Sequence, residues 1–143
     1  IDDINKCIKL AKTYSCEIEF IEVNLESVPE TQAKADVLLL PLKKGIGRTA
    51  TPSKLPAYLF SKKPIIACVD LDCDTANLIN ESNCGWVIPP ENINLLAKSM
   101  LETSLISTNE LNIIGQNGFN FASKYLSKKN NLESFISLFD SIK

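Results

Sequence analysis

Residues 35–69 read ADVLLLPLKKGIGRTATPSKLPAYLFSKKPIIACV, and the fold class turns on how that run divides. Asp36 to Leu42 is a continuous apolar run closing around Pro41, the pattern of a strand buried on both faces. Lys43 to Pro52 is a polar loop with three cations, two glycines and two threonines. Ser53 is placed to cap a short helix, with Pro56 in its first turn, and that helix stops before Lys63-Pro64. Ile65 to Val69 is a second buried strand. A loop that leaves the carboxyl end of a parallel strand and enters a helix is where open α/β sheets bind phosphates.

The flanking sequence continues the alternation. Asp2 or Asp3 caps a first helix with an apolar face of Ile4, Cys7, Ile8, Ala11 and Tyr14. Cys16 to Val23 alternates as a strand, Asn24 to Glu30 is a polar connection, and Pro29 starts a short helix through Ala35. Thr75 to Ser82 has a helical pattern with Ala76 and Ile79 inward, Asn83-Cys84-Gly85 stops it, and Trp86 to Ile88 is a short strand ended by Pro89-Pro90. Three helices follow. Glu91 to Thr103 turns Ile93, Leu96, Ala97, Met100 and Leu101 to one side, and about Asn109 to Leu126 does the same with Leu111, Ile114, Ala122 and Tyr125. Asn130 to Ile142 buries Leu132, Phe135, Ile136, Phe139 and Ile142. Gly115 and Gly118 each weaken their helix by about 1 kcal/mol relative to alanine, a cost that close helix packing would explain. The order gives an α/β fold with a parallel sheet, flanking helices and right-handed crossovers. There is no internal repeat.

Composition narrows the functional classes. The chain has 143 residues, enough for one domain, and 45% of them are hydrophobic, enough for a sizeable core. A net charge of −2 gives no general attraction to nucleic acid, and no nucleic-acid partner is expected. The longest apolar runs are of strand length, far short of a membrane span. Five cysteines without a C-x-x-C pair read as buried reduced thiols. With no histidine, Ser–His and Cys–His catalysis is excluded. The first residue, Ile1, enters directly into a helical pattern, so the domain is expected to lack its amino-terminal part.

Two constellations carry chemistry. In the first, the amides around Ser53, Lys54 and Leu55 face a helix N-terminus, with Lys43, Arg48 and Lys54 as nearby charges. This arrangement suits an anion, the helix dipole adding about 0.3–1 kcal/mol, and it equally fits an ordinary capped helix with surface lysines. In the second, Asp70, Asp72 and Asp74 alternate. The spacing touches both the D-x-D pattern of some sugar transferases and a calcium loop. The glycine position of a calcium loop holds Thr75, so a solvated loop with Asp74 as helix cap is the better reading, and no metal is expected.

The order of these segments resembles the carboxyl-terminal half of group 1 (family 4) glycosyltransferases of the two-domain GT-B fold. The resembling segments are Val28-Pro29-Glu30, Ala35 to Pro41, Pro52-Ser53-Lys54-Leu55, Tyr58-Leu59, Lys63 to Ala67, Cys84 to Glu91 and Leu96-Ala97. The P-S-K-L-x-x-Y-L run is most similar to transferases of capsule, O-antigen and colanic-acid-type polysaccharide synthesis. The resemblance implies a Rossmann-like domain over residues 1–143 that binds a nucleotide-diphosphate sugar and uses a sugar or lipid-linked acceptor. It implies that the amides of Ser53, Lys54 and Leu55 hold the diphosphate, that Arg48, Thr49 and Thr51 face the donor, and that backbone near Ile21 to Val23 lies by the base. It also implies an amino-terminal acceptor domain absent from this chain, toward which the helix at 130–142 would pack, leaving its apolar face partly exposed here, and an enzyme that is cytoplasmic or peripheral at the inner face of the membrane. This piece alone would be inactive. One departure stands out: the family's E-x7-E glutamates fall on Thr49 and Ala57, and an alanine cannot grip a ribose. A non-catalytic nucleotide-sugar-binding or scaffolding module of the same fold is therefore the alternative. An unrelated flavodoxin-like domain is disfavoured by the P-S-K-L and C-G-x-x-x-P-P-E runs.

Overall fold

A computed structural model describes residues 2–14 and 16–140. Its elements are α1 (Asp2–Thr13), α2 (Val28–Ala33), β1 (Leu38–Pro41), α3 (Leu55–Phe60), β2 (Ile65–Cys68), α4 (Asp74–Ser82), β3 (Gly85–Ile88), α5 (Ile93–Ser104), α6 (Thr108–Tyr125) and α7 (Lys128–Asp140). The three strands form a parallel sheet in the order β1-β2-β3. Leu38 is in register with Ile65, and Ile65 with Gly85. The arrangement is α/β and compatible with a Rossmann-like fold.

The period of two along β2 sorts its side chains onto two faces. Ile65 and Ala67 join Leu55 and Leu59 of α3, Ala76 and Ile79 of α4 and Ala122 of α6 in the main core. Ile66 and Cys68 face the other way, with Ile88, Trp86 and Leu96 of α5. All four β2 residues are buried, as expected of a central parallel strand. In β1 the burial alternates: Leu38 and Leu40 are buried, but Leu39 is 39% exposed. The reading of this run as buried on both faces therefore holds for one face only. On the other face β1 borders an open cavity of about 430 Å³ lined by Val37, Leu39, Ile66, Met100, Thr103 and Leu111.

Two glycines set how closely α6 packs. A Cβ on Gly115 would lie 2.1 Å from the Lys62 carbonyl oxygen, and one on Gly118 would lie 3.0 Å from Cys84 Cβ and 3.2 Å from Leu59 Cδ2. The expected close approach is thus realised, by Gly115 against the α3–β2 turn and by Gly118 against Leu59 and Cys84. Lys62 itself takes φ 58°, which lets the chain reverse before Pro64.

Other expectations are corrected. Residues 16–23 form no strand among the described residues, and Ile18, Phe20 and Ile21 are exposed. The alternating pattern is there, but a strand needs a neighbour for its N–H and C=O groups. Of the α1 face, only Ala11 is buried. In α5 the predicted face is mostly exposed, Ile93 and Leu101 included, and Thr103 is the buried residue. Tyr125 of α6 is exposed as well. The α7 face of Leu132, Phe135, Ile136 and Phe139 is exposed, against its reading as buried from periodicity and in line with the exposure that the family resemblance implies, and Ile142 lies outside the described residues. Periodicity marks a face that could be buried; it does not supply the surface that buries it. Cys68, Cys73 and Cys84 are buried, whereas Cys7 and Cys16 are exposed. Burial pushes the Cys68 and Cys84 thiols up, keeping both protonated.

The start of α6 is fixed by a capping box. The Glu110 amide donates to Ser107 Oγ, while Glu110 Oε2 accepts from the Ser107 amide and hydroxyl. These bonds hold the Glu110 carboxyl below its ordinary value. Ser107→Ala is expected to lower stability by about 1 kcal/mol in urea unfolding at pH 7. The loss should shrink as pH falls. A carboxylate with a depressed folded-state value stabilises only above its unfolded-state value, and that contribution fades as the folded-state value is crossed. A Ser107→Ala cost independent of pH would exclude Glu110 from the cap.

Candidate functional site

The carboxyl ends of all three strands open on one side of the sheet. There the β1–α3 loop, the turn after β2 and Pro89-Pro90 after β3 border an open cavity of about 330 Å³, lined by Lys44, Arg48, Asp70, Leu71, Asp72 and the two prolines. This is the position at which open parallel sheets take their ligands.

The loop is built by local turns. The Ile46 amide donates to the Lys43 carbonyl, and the Thr49 amide to that of Ile46. Between them Gly45 adopts φ 86°, a left-handed conformation suited to glycine. Thr49 Oγ1 donates to the Ile46 carbonyl. The loop then meets the residues that follow β2. The Gly45 amide lies 3.1 and 2.9 Å from the two carboxylate oxygens of Asp70, which is 5% exposed. Arg48 donates from Nε to Asp72 Oδ1 at 3.0 Å, and its second nitrogen, Nη2, lies 3.0 Å from Oδ2. This two-pronged pair holds the Arg48 guanidinium above its ordinary value and the Asp72 carboxyl below its own. Because both side chains are exposed, the pair contributes little to stability.

Several expected roles change. Ser53 does not cap α3: the helix begins at Leu55, the residue before it is Lys54 in a helical conformation, and no side chain caps it. The turn Pro52 to Leu55 explains this, since the Leu55 amide donates to the Pro52 carbonyl at 3.0 Å. Leu55 is buried in the core, and its amide is already used. Pro56 lies in the first turn, as expected. Thr49, Thr51, Ser53 and Lys54 are exposed along the loop and do not line the cavity, whereas Arg48 does. Ala57 is exposed on α3. The aspartates are not a simple solvated loop. Asp70 is buried and bonded to Gly45, Asp72 is paired with Arg48, and the cap of α4 is Cys73, whose Sγ accepts from the Ala76 amide at 3.4 Å.

Asp70 is the aspartate whose role the sequence reading missed, having placed it in a solvated loop. Its signal was its place as the first polar residue after the buried run Ile65 to Val69. A carboxylate there sits at the mouth of a parallel sheet, facing whatever the neighbouring loop presents.

No helix among the described residues is long and apolar enough to cross a membrane. No family model matches the chain, and no solved structure matches it. Over 66 residues the chain is 32% identical to a probable glycosyltransferase, WbjE, of Pseudomonas aeruginosa. That match takes in 46% of this chain and 16% of the relative's length. The likeness supports a relationship to glycosyltransferases.

Proposed function

We propose that this chain is the donor-binding half of a nucleotide-sugar-dependent glycosyltransferase of the GT-B, family 4 type, acting in cell-surface polysaccharide or glycolipid synthesis. The observation that carries the reading is the loop with Lys44 and Arg48 at the carboxyl ends of three parallel strands. The relative's name supports it.

In this reading the donor diphosphate lies along residues 48–54. The amides of Ser53 and Lys54 and the Lys54 ammonium meet the phosphates, with Arg48, Thr49 and Thr51 beside them. Leu55 shapes the site from beneath through its side chain. Fixed donors of this kind act on the charge that grows on the diphosphate as the glycosidic bond breaks. The base lies by Ile21 to Val23, the protein works in the cytoplasm or at the inner face of the membrane, and the transfer uses no metal. The acceptor is a sugar or lipid-linked sugar. It is held by a domain outside these 143 residues, toward which the exposed apolar face of α7 packs, and without that domain the chain does not turn over.

Two observations favour a second reading, a nucleotide-sugar-binding or scaffolding module without turnover. Ala57 stands where the resemblance expects the ribose-gripping glutamate, and Arg48 is already engaged by Asp72.

Calorimetric titration of the folded chain with UDP, GDP and their sugars tests both. Saturable binding of one nucleotide is expected, weakened about tenfold by Ser53→Pro, which removes one amide from the phosphate segment. Binding without turnover in the presence of the acceptor domain would favour the second reading. A folded chain that binds none of these nucleotides would overturn both.

A further inference from the structure

We infer that Asp70 is a positioning residue: its buried carboxylate holds the Gly45 amide and so fixes the loop that carries Lys44 and Arg48 over the strand ends. The functional part of this inference rests on the donor-binding reading of that loop.

Three successive points of the loop meet one short turn. Gly45 donates to Asp70. Gly47 is buried against the same turn, where a Cβ would lie 3.1 Å from Cys73 Sγ and 3.4 Å from Asp70 Oδ2. Arg48 pairs with Asp72. The three contacts differ in strength. The Arg48–Asp72 pair is exposed on both sides and screened by salt. The Gly47 contact is one of shape, available because there is no side chain. The Asp70 bond is the buried one, and a buried carboxylate keeps its acceptors bonded, because leaving them empty is costly.

The charge itself makes a positioning role the better account. Asp70 lines the same cavity as Lys44 and Arg48. A buried negative charge there opposes an incoming phosphate and partly cancels the cations that would attract it. Its contribution is therefore the acceptor and not the charge. A loop held in place before the ligand arrives has less conformational freedom to lose on binding.

The separation of acceptor from charge is testable. Asp70→Asn keeps an oxygen for the Gly45 amide and removes the charge. Asp70→Leu keeps the branched skeleton in a larger side chain and removes both. Gly47→Val pushes the loop off the turn from the loop side by crowding Cys73 Sγ at the rim of the core, and it keeps the Asp70 carboxylate, so it serves even where Asp70→Leu fails to fold. Each variant is read by hydrogen exchange at the Gly45 amide and by titration with UDP and GDP. In Asp70→Asn, the Gly45 amide is expected to stay protected and nucleotide affinity to stay within about threefold of the starting chain, or to rise. In Asp70→Leu and Gly47→Val, protection is expected to be lost and affinity to fall about tenfold. Unchanged Gly45 protection in Asp70→Leu and Gly47→Val would overturn the inference, as would lost protection with unchanged affinity. Should the starting chain bind neither nucleotide, the donor-binding reading falls. The positioning role is then decided by exchange alone: protection kept in Asp70→Asn and lost in Asp70→Leu upholds it, and equal protection in both overturns it.

Discussion

Gly115→Ala is expected to destabilise the protein by about 3 kcal/mol, seen as a lower midpoint of urea unfolding. Helix propensity alone predicts the opposite sign. Alanine within a helix is favoured over glycine by about 1 kcal/mol, and Gly115 lies well inside the 18-residue helix α6. Tertiary packing overrides that gain. A Cβ at this position would lie 2.1 Å from the Lys62 carbonyl oxygen, 2.5 Å from its carbonyl carbon and 2.9 Å from the Lys63 nitrogen. All three are backbone atoms, so no side chain can swing aside. Relief requires α6 to move away from the α3–β2 turn, which loosens the contact made by Ala122 on the same helix. Against a typical total of about 5–15 kcal/mol, the loss is large. A Gly115→Ala protein as stable as the parent, or more stable, would show that α6 does not pack as described.

Leu59→Ala is expected to cost a further, comparable amount, about 3–4 kcal/mol, by the same measurement. Leu59 is fully buried on α3, within the main core formed with Leu55, Ala67, Ile79 and Ala122. Truncation removes apolar contact and leaves a cavity between α3, α6 and the sheet that the backbone can close only in part. Gly118 gives an internal control, because a Cβ there would lie 3.2 Å from Leu59 Cδ2, the atom that truncation deletes. Gly118→Ala should therefore be less costly in the Leu59→Ala background than alone, a coupling that a double-mutant cycle measures. Strictly additive effects would place the two residues out of contact. The nucleotide titration serves as a second readout. α3 directly follows Ser53 and Lys54, so a loosened α3 should also weaken any anion held by that segment.

The sequence reading put the polar loop at the strand ends, where the structure has it, and was wrong about several local contacts. The strand–loop–helix–strand run placed the loop at the carboxyl ends of the sheet, because continuous apolar runs flanking a polar segment have few other foldings. It assigned the α3 cap to Ser53, since serine before a helix is a strong local signal. The chain instead makes a turn from Pro52 to Leu55 that spends the Leu55 amide, and the helix starts at Leu55 with Lys54 in the cap position. Arg48 was read as a free charge for a ligand, and pairing with Asp72 across 24 positions could not be seen along the chain. Asp70 was read as solvated, and only the β2 register brings it to Gly45.

What the sequence alone determined is the class of the fold and the order of most of its pieces: strands β1, β2 and β3, the helices between and after them, the stop at Asn83 and the polar loop at the sheet mouth. These follow from short-range physics, in which hydrophobic period, proline and glycine act over a few residues. Tertiary structure alone decided which apolar faces are covered and which polar groups meet. Leu39, the α1 stripe apart from Ala11 and the α7 phenylalanines carry the pattern of burial and remain exposed, because burial requires a second surface that periodicity does not specify. The clasp of Gly45 by Asp70 and the seat of Gly115 on Lys62 likewise exist only once distant segments are brought within bonding distance, where an added methyl or a lost oxygen changes the energy by more than any local propensity.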